Sequence, residues 1–162
     1  MTKLTLSELS EKLHDIDIVM LSTHAADGGI STRPMSSAAK STYDGVSHYF
    51  AIEDAHLVDE IAANPKVGLS LQGRGGIVGQ RPFVMTVQGE AEVIRDRDAL
   101  LAHWSEDLTR WFAKDVDTPG LVLIRVRATD IRYWDGDEAG DDQGEIIVPG
   151  STGLSDAAVT LP

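Results

Sequence analysis

Two stretches decide the reading of this chain: Ile30-Ser31-Thr32-Arg33-Pro34-Met35-Ser36, and His48-Tyr49-Phe50-Ala51-Ile52-Glu53-Asp54-Ala55-His56-Leu57, which runs on to Asn64-Pro65 and Val67-Gly68-Leu69-Ser70-Leu71. The first is a β-prone run that carries one arginine and ends near a proline. The second reads as strand, short loop, short helix and strand. Its aromatic and β-branched run gives way to Leu57, Val58 and Ile61 at helical spacing, and Asn64-Pro65 closes the helix. An arginine on a strand, facing a loop that opens a helix N-terminus, suits an anionic planar ligand.

Working outward, Thr5-Leu6-Ser7-Glu8 fits a capping box, and Leu6, Leu9, Leu13 and Ile16 continue it as a helix with one apolar stripe. Residues 18–23 form a β-rich run, Asp27-Gly28-Gly29 signals a turn, and the two flanking runs pair as a hairpin. Asp44-Gly45 is a second turn, and Asp54 is the expected N-cap of the short helix. Residues 66–72 and 82–94 read as strands, with Gly89 marking a bulge or a barrel corner. Asp96 caps a helix whose one face holds Leu100, Trp104, Leu108 and Trp111; Thr118-Pro119-Gly120 breaks it. Residues 121–126 and 131–134 are the last strands. Short turns and few helices predict a mainly β fold, an antiparallel closed or nearly closed barrel with helices packed outside.

The chain has 162 residues, 42% of them hydrophobic, which suits one domain with a real core. Its net charge of −12 repels phosphate backbones, so nucleic acid is not expected as a partner. Any phosphate site must be made locally, by specific donors working against that field. The absence of cysteine removes disulfides, thiolate metal sites and thiol catalysis. No signal peptide and no membrane-spanning run is seen, so a soluble cytoplasmic protein is the expectation. From Asp135 to Glu145 the chain turns acidic, and Ile146-Ile147-Val148-Pro149 after it is apolar enough to dock on the barrel or on a partner subunit. The expected division is a domain over 1–136 and an acidic extension over 137–162.

These pieces, in this order, resemble the pyridoxamine 5′-phosphate oxidase-like split-barrel family, and in particular its general stress protein 26 branch. The residues that carry the resemblance are Ser31-Thr32-Arg33-Pro34-Met35, Tyr49-Phe50-Ala51-Ile52, the run from Glu60 through Asn64-Pro65-Lys66-Val67, Pro119 to Val126, and Tyr133-Trp134-Asp135. The resemblance implies a six-stranded split barrel, a homodimer, and flavin mononucleotide (FMN) in clefts between subunits. It implies that Arg33, Pro34 and Met35 lie against the flavin ring. The loop Ile52-Glu53-Asp54-Ala55-His56-Leu57 would then hold the phosphate, Phe50 and Ala51 on the aromatic strand before it would also line the cofactor, and Trp134 on the closing strand would edge the ring. One departure stands out. The family commonly places an arginine and a lysine in the phosphate loop, and Glu53 and Leu57 match those positions. A charged donor to phosphate is worth roughly 1.5–3 kcal/mol, so losing two costs several decades of affinity. Arg74, Arg81 or Lys40 could substitute, or the ligand could be FAD, another molecule, or none.

Individual residues narrow the chemistry further. The histidines lack metal spacing, so no metal site is expected; the Gly73–Gly79 stretch lacks a phosphate-loop pattern, and no serine sits in a Gly-x-Ser-x-Gly motif. No side chain is assigned as catalytic. What the resemblance implies is a flavin-dependent oxidoreductase acting on an unknown small molecule by hydride transfer through flavin N5. The other readings are a non-enzymatic flavin-binding stress protein, a barrel that uses deazaflavin or haem (with His56 or His48 as the available axial ligand), and a scaffold without cofactor. The acidic C-terminus offers no basic residues for a substrate phosphate, which argues against true pyridoxamine 5′-phosphate oxidase activity.

Overall fold

The computed structural model describes residues 4–37, 42–73 and 82–135, together with the backbone of Asp142–Ile147. Helix α1 (Leu6–Leu13) starts at the expected capping box: the Thr5 hydroxyl accepts from the Glu8 N–H, and the Glu8 carboxylate accepts from the Thr5 N–H at 2.7 Å. Strand β1 (Ile18–His24) alternates, burying Val19, Leu21 and Thr23 while Ile18 and Met20 face outward. It pairs with β2 (Ile30–Ser36) across a turn where Gly28 takes φ +85° and Asp27 Oδ1 accepts from the Gly29 N–H. After the Asp44-Gly45 turn comes β3 (Val46–Ile52), then α2 (His56–Ala63), β4 (Lys66–Gln72) and β5 (Val84–Ile94).

Three expectations about helix ends meet different outcomes. Asp96 caps α3 (Arg97–His103) as expected, accepting from the Ala99 N–H at 3.1 Å. Asp54 does not cap α2: the N-cap position falls one residue later, on Ala55, which has no side-chain acceptor to offer. The long helix expected through Trp111 stops at His103. Trp104 is extended, and Ser105 caps a separate 3₁₀ turn, Glu106–Leu108, competing with helix continuation. A second 3₁₀ turn covers Asp115–Asp117. Trp104 and Leu108 still pack inward, whereas Trp111 is 58% exposed.

Strand β6 (Leu121–Asp135) is one continuous strand where two were expected. The interruption is a bulge: Gly89 pairs with Ala128 and Gln88 with Asp130, leaving Thr129 as the extra residue. A Cβ on Gly89 would lie 2.5 Å from the Arg127 carbonyl oxygen, so the bulge closes only around glycine. The sheet is antiparallel, in the order β2-β1-β4-β5-β6-β3, and β2 and β3 are its unpaired ends. This is the split barrel. The acidic extension contributes an unexpected seventh strand, β7 (Asp142–Ile147), paired with β6. β3 covers one edge of β6 over Leu121–Arg127; β7 covers the same edge from Asp130 to Asp135.

Two cores flank β6. Val122, Ile124, Val126 and Ile131 join the barrel interior with Leu9, Val19, Leu21, Leu69, Met85 and Val87. Leu121 and Leu123 turn the other way, onto Phe50, Leu100 and Leu108 beneath α3. The unbroken apolar run 121–124 is therefore buried on both faces, and helix α2 packs Leu57, Val58 and Ile61 into the barrel core. Among the described residues, no helix is long and apolar enough to cross a membrane.

Candidate functional site

Pairing with β1 sets Arg33 opposite Leu21, on the face of β2 that turns toward α2. Its guanidinium donates to Thr23 Oγ1 and, at 2.7 Å, to Glu60 Oε2. Glu60 projects from α2 and also accepts from the hydroxyls of Thr23 and of Ser31, the latter at 3.1 Å. The Thr23 hydrogen bond, followed by those from Arg33 and Ser31, holds the Glu60 carboxyl below the usual range, against a smaller opposing effect of burial. Arg33 and Glu60 are 23% and 12% exposed, so solvent screens this pair little. Arg33 is a fixed strut between β2 and α2.

The other expected site residues divide between faces. Pro34 is exposed on the outer face beside Met20, whereas Met35, Ala51 and Leu57 are buried in the barrel core. Phe50 and Ile52 belong to the second core, where Phe50 meets Trp104 edge-on with centroids 5.2 Å apart. Glu53 is exposed and grips Arg95 in a two-pronged pair, at 2.6 and 2.8 Å. Its backbone N–H donates to the Gly120 carbonyl at 2.7 Å. His56, the first residue of α2, is exposed. Trp134 lies on β6, paired with Val84 and four strands from β2 in the sheet order. The fold thus brings Arg33 and the α2 segment together. Lys40, Arg74 and Arg81, the other candidate phosphate donors, lie outside the described residues.

Three contributors were not singled out in the sequence: Thr23, Glu60 and Arg95. Glu60 reads as one more acid on a helix, and its partners Ser31 and Arg33 are 29 and 27 residues away in the chain. Arg95 follows β5 and meets Glu53 across 42 residues. Neither pair leaves a local signature. His48 is engaged as well. Its ring stacks on that of His103 at 3.7 Å, and its Nε2 accepts from Arg125 at 3.4 Å. Burial, then His103, then Arg125 push its pKa down to about 4.

Beside the Arg33 network, an open groove of about 660 Å³ runs across the strands. Thr23 lines it, with Ser22, His24, Lys66, Gln88 and Glu90. Gly68 lines its floor, and nothing approaches closer than 3.8 Å to where its Cβ would be. The groove has the size of a ligand site and a mixed polar and apolar lining.

For the FMN that the sequence resemblance implies, the two ends of the molecule meet different surroundings. A flavin ring edge presents carbonyl oxygens. Arg33 has five N–H donors, of which the bonds to Thr23 and Glu60 engage part, so ring-edge acceptors can be served. Among the described residues, the loop into α2 offers the phosphate end no arginine or lysine of its own. Leu57 is buried in the core, Glu53 puts a carboxylate in the loop, and Arg95 is already paired with it.

A family model described as pyridoxamine 5′-phosphate oxidase like matches residues 5–143. No curated protein matches the chain. Among solved structures, general stress protein 26 of Bacillus anthracis is 22% identical with a TM-score of 0.64, over 86% of this chain and 98% of that one. A FAD-binding protein from Mesorhizobium loti is 19% identical with a TM-score of 0.62, over 80% and 94%. A heme binding protein from Mycobacterium smegmatis is 12% identical with a TM-score of 0.70, over 91% of this chain and 60% of that one. At these identities the structures speak for the fold. Taken with the family model and the mainly β split sheet, they support one assignment: the chain belongs to the pyridoxamine 5′-phosphate oxidase-like family.

Proposed function

We propose that this protein is a flavin-binding split-barrel protein of the general stress protein type, and that it acts as an oxidoreductase on a small molecule. The observation that carries the reading is Arg33, held rigid by Thr23 and Glu60 at the open edge of the barrel, in a chain of a family that usually binds flavin. A flavin, when bound, supplies hydride transfer through N5. The chain's own part is to bind and orient. Arg33 offers a guanidinium already fixed by two partners, so little ordering entropy is spent when it meets a ring edge.

A homodimer belongs to the same reading. Met20 and Pro34 are exposed side by side on the outer sheet face, with Ile18 exposed on the same strand, and this apolar surface supports the dimer reading. Haem is less well served. The ring of His48 is covered by His103 and its Nε2 is taken by Arg125, which leaves exposed His56 as the candidate axial ligand.

The test is an absorbance spectrum of the purified protein after incubation with riboflavin, FMN or FAD and desalting. A retained flavin band is expected; a protein that retains none of the three sinks the reading. Oxidation of a nicotinamide donor by the loaded protein then separates an enzyme from a flavin-binding stress protein.

A further inference from the structure

We infer that Glu53 is a selector against phosphate, so that the site prefers a flavin whose tail ends in neutral hydroxyls over one that ends in a phosphate monoester. The inference rests on the flavin reading and adds a ligand class to it. Among the described residues, two arginines meet the 53–60 segment, and each is matched by an acid there: Arg95 by Glu53, and Arg33 by Glu60. The second pair stiffens the barrel edge and is also bonded to Thr23 and Ser31. The first is different. It is exposed, it lies in the loop that leads into α2, and its geometry is the fork that Arg95 would otherwise offer to a phosphate. Glu53 therefore occupies the cation that an incoming phosphate needs.

The chemistry of the carboxylate makes this selective and not merely unhelpful. An ionised carboxylate accepts hydrogen bonds and donates none. A phosphate dianion is also an acceptor, so the two meet as like charges with no proton between them. A ribityl hydroxyl can donate to Glu53 without displacing Arg95. Leu57 adds nothing for phosphate, being buried among core residues. The net charge of −12 opposes a dianion at longer range.

The experiment titrates the full-length protein with riboflavin and with FMN, read by flavin fluorescence, for wild type, Glu53→Gln and Glu53→Gln with Arg95→Ala. Wild type is expected to bind riboflavin at least as tightly as FMN. Glu53→Gln frees Arg95 and should tighten FMN by about tenfold, the value of one charge-assisted contact, with little change for riboflavin. The double variant should lose that gain, which ties it to Arg95 and separates it from a general change in charge. Both residues are exposed, so the variants should keep the wild-type circular dichroism. FMN binding about tenfold tighter than riboflavin in wild type would overturn the selector and leave the flavin reading standing. An FMN gain that survives in the double variant would also overturn it. No binding of either flavin would remove the flavin reading, and the selector with it.

Discussion

At the scale of single residues, His48 carries the clearest pH consequence. It stands on β3 between Asp44, Arg125, Arg127 and the stacked ring of His103, with Glu92 behind Arg125 at 3.6 Å. Burial, then the neighbouring His103 ring and the arginines, favour the neutral ring, so its pKa falls from 6.5 to about 4 on folding. Between those values the unfolded chain takes up a proton that the folded chain refuses. The stabilisation is therefore full above the unfolded value and is lost as pH falls toward the folded one. We expect the melting temperature to drop between pH 6.5 and 5, and the drop to shrink in His48→Phe. Glu60 and Glu53 have lowered pKa values and lose their stabilising ionisation further down in pH, which keeps the upper window informative. Parallel melting curves for wild type and variant across that window would refute the assignment. The residue scale is also where the sequence was least legible. Arg33 was visible as a site candidate, but Glu60, which holds it, was not. Such pairs are created by strand order, and strand order is not written locally.

At the scale of elements, the join between β5 and β6 is decided by Gly89. Its missing Cβ admits the Arg127 carbonyl, and the bulge lets β6 run past Thr129 as one strand, flanked by both cores. Gly89→Ala would force backbone against backbone and should cost about 2 kcal/mol or more, read as a lower urea midpoint. Gly68→Ala is the matched control, because its Cβ would meet only ordinary contacts, and its cost should stay below about 1 kcal/mol. Equal midpoints for the two variants would mean that the bulge tolerates a side chain. Gly89 was legible as a bulge because glycine inside a long strand has few other uses. The Thr5 capping box, the Asp96 cap and the tight turns were legible because each is settled within four residues. Strand β7 was not. Its acidic composition reads as solvated tail, and only the open edge of β6 beyond β3 gives it a partner.

At the scale of the whole molecule, the prediction concerns assembly. The outer sheet face places Met20 next to Pro34, with Ile18 exposed on the same strand. Met20→Arg should convert a dimer to a monomer in sedimentation velocity while leaving the circular dichroism unchanged, since Met20 is 38% exposed and outside the core. A wild-type protein that already sediments as a monomer would end the dimer reading. The barrel class itself was legible because alternation and short turns recur along most of the chain, so two misread helix ends did not disturb it.

The strand order has a further consequence, for the protein as it leaves the ribosome. β1, β2, β4 and β5 can pair as soon as β5 is made, but β3 finds its hydrogen-bonding partner only in β6, whose pairing residues run from Leu121 to Arg127. Until that stretch emerges, Tyr49-Phe50-Ala51-Ile52 is an apolar strand with no neighbour to bond to. Long-range pairing of this kind folds slowly and leaves an edge open to other chains. The nascent protein therefore passes through an interval in which β3 is its most aggregation-prone element, and the interval ends with the synthesis of β6.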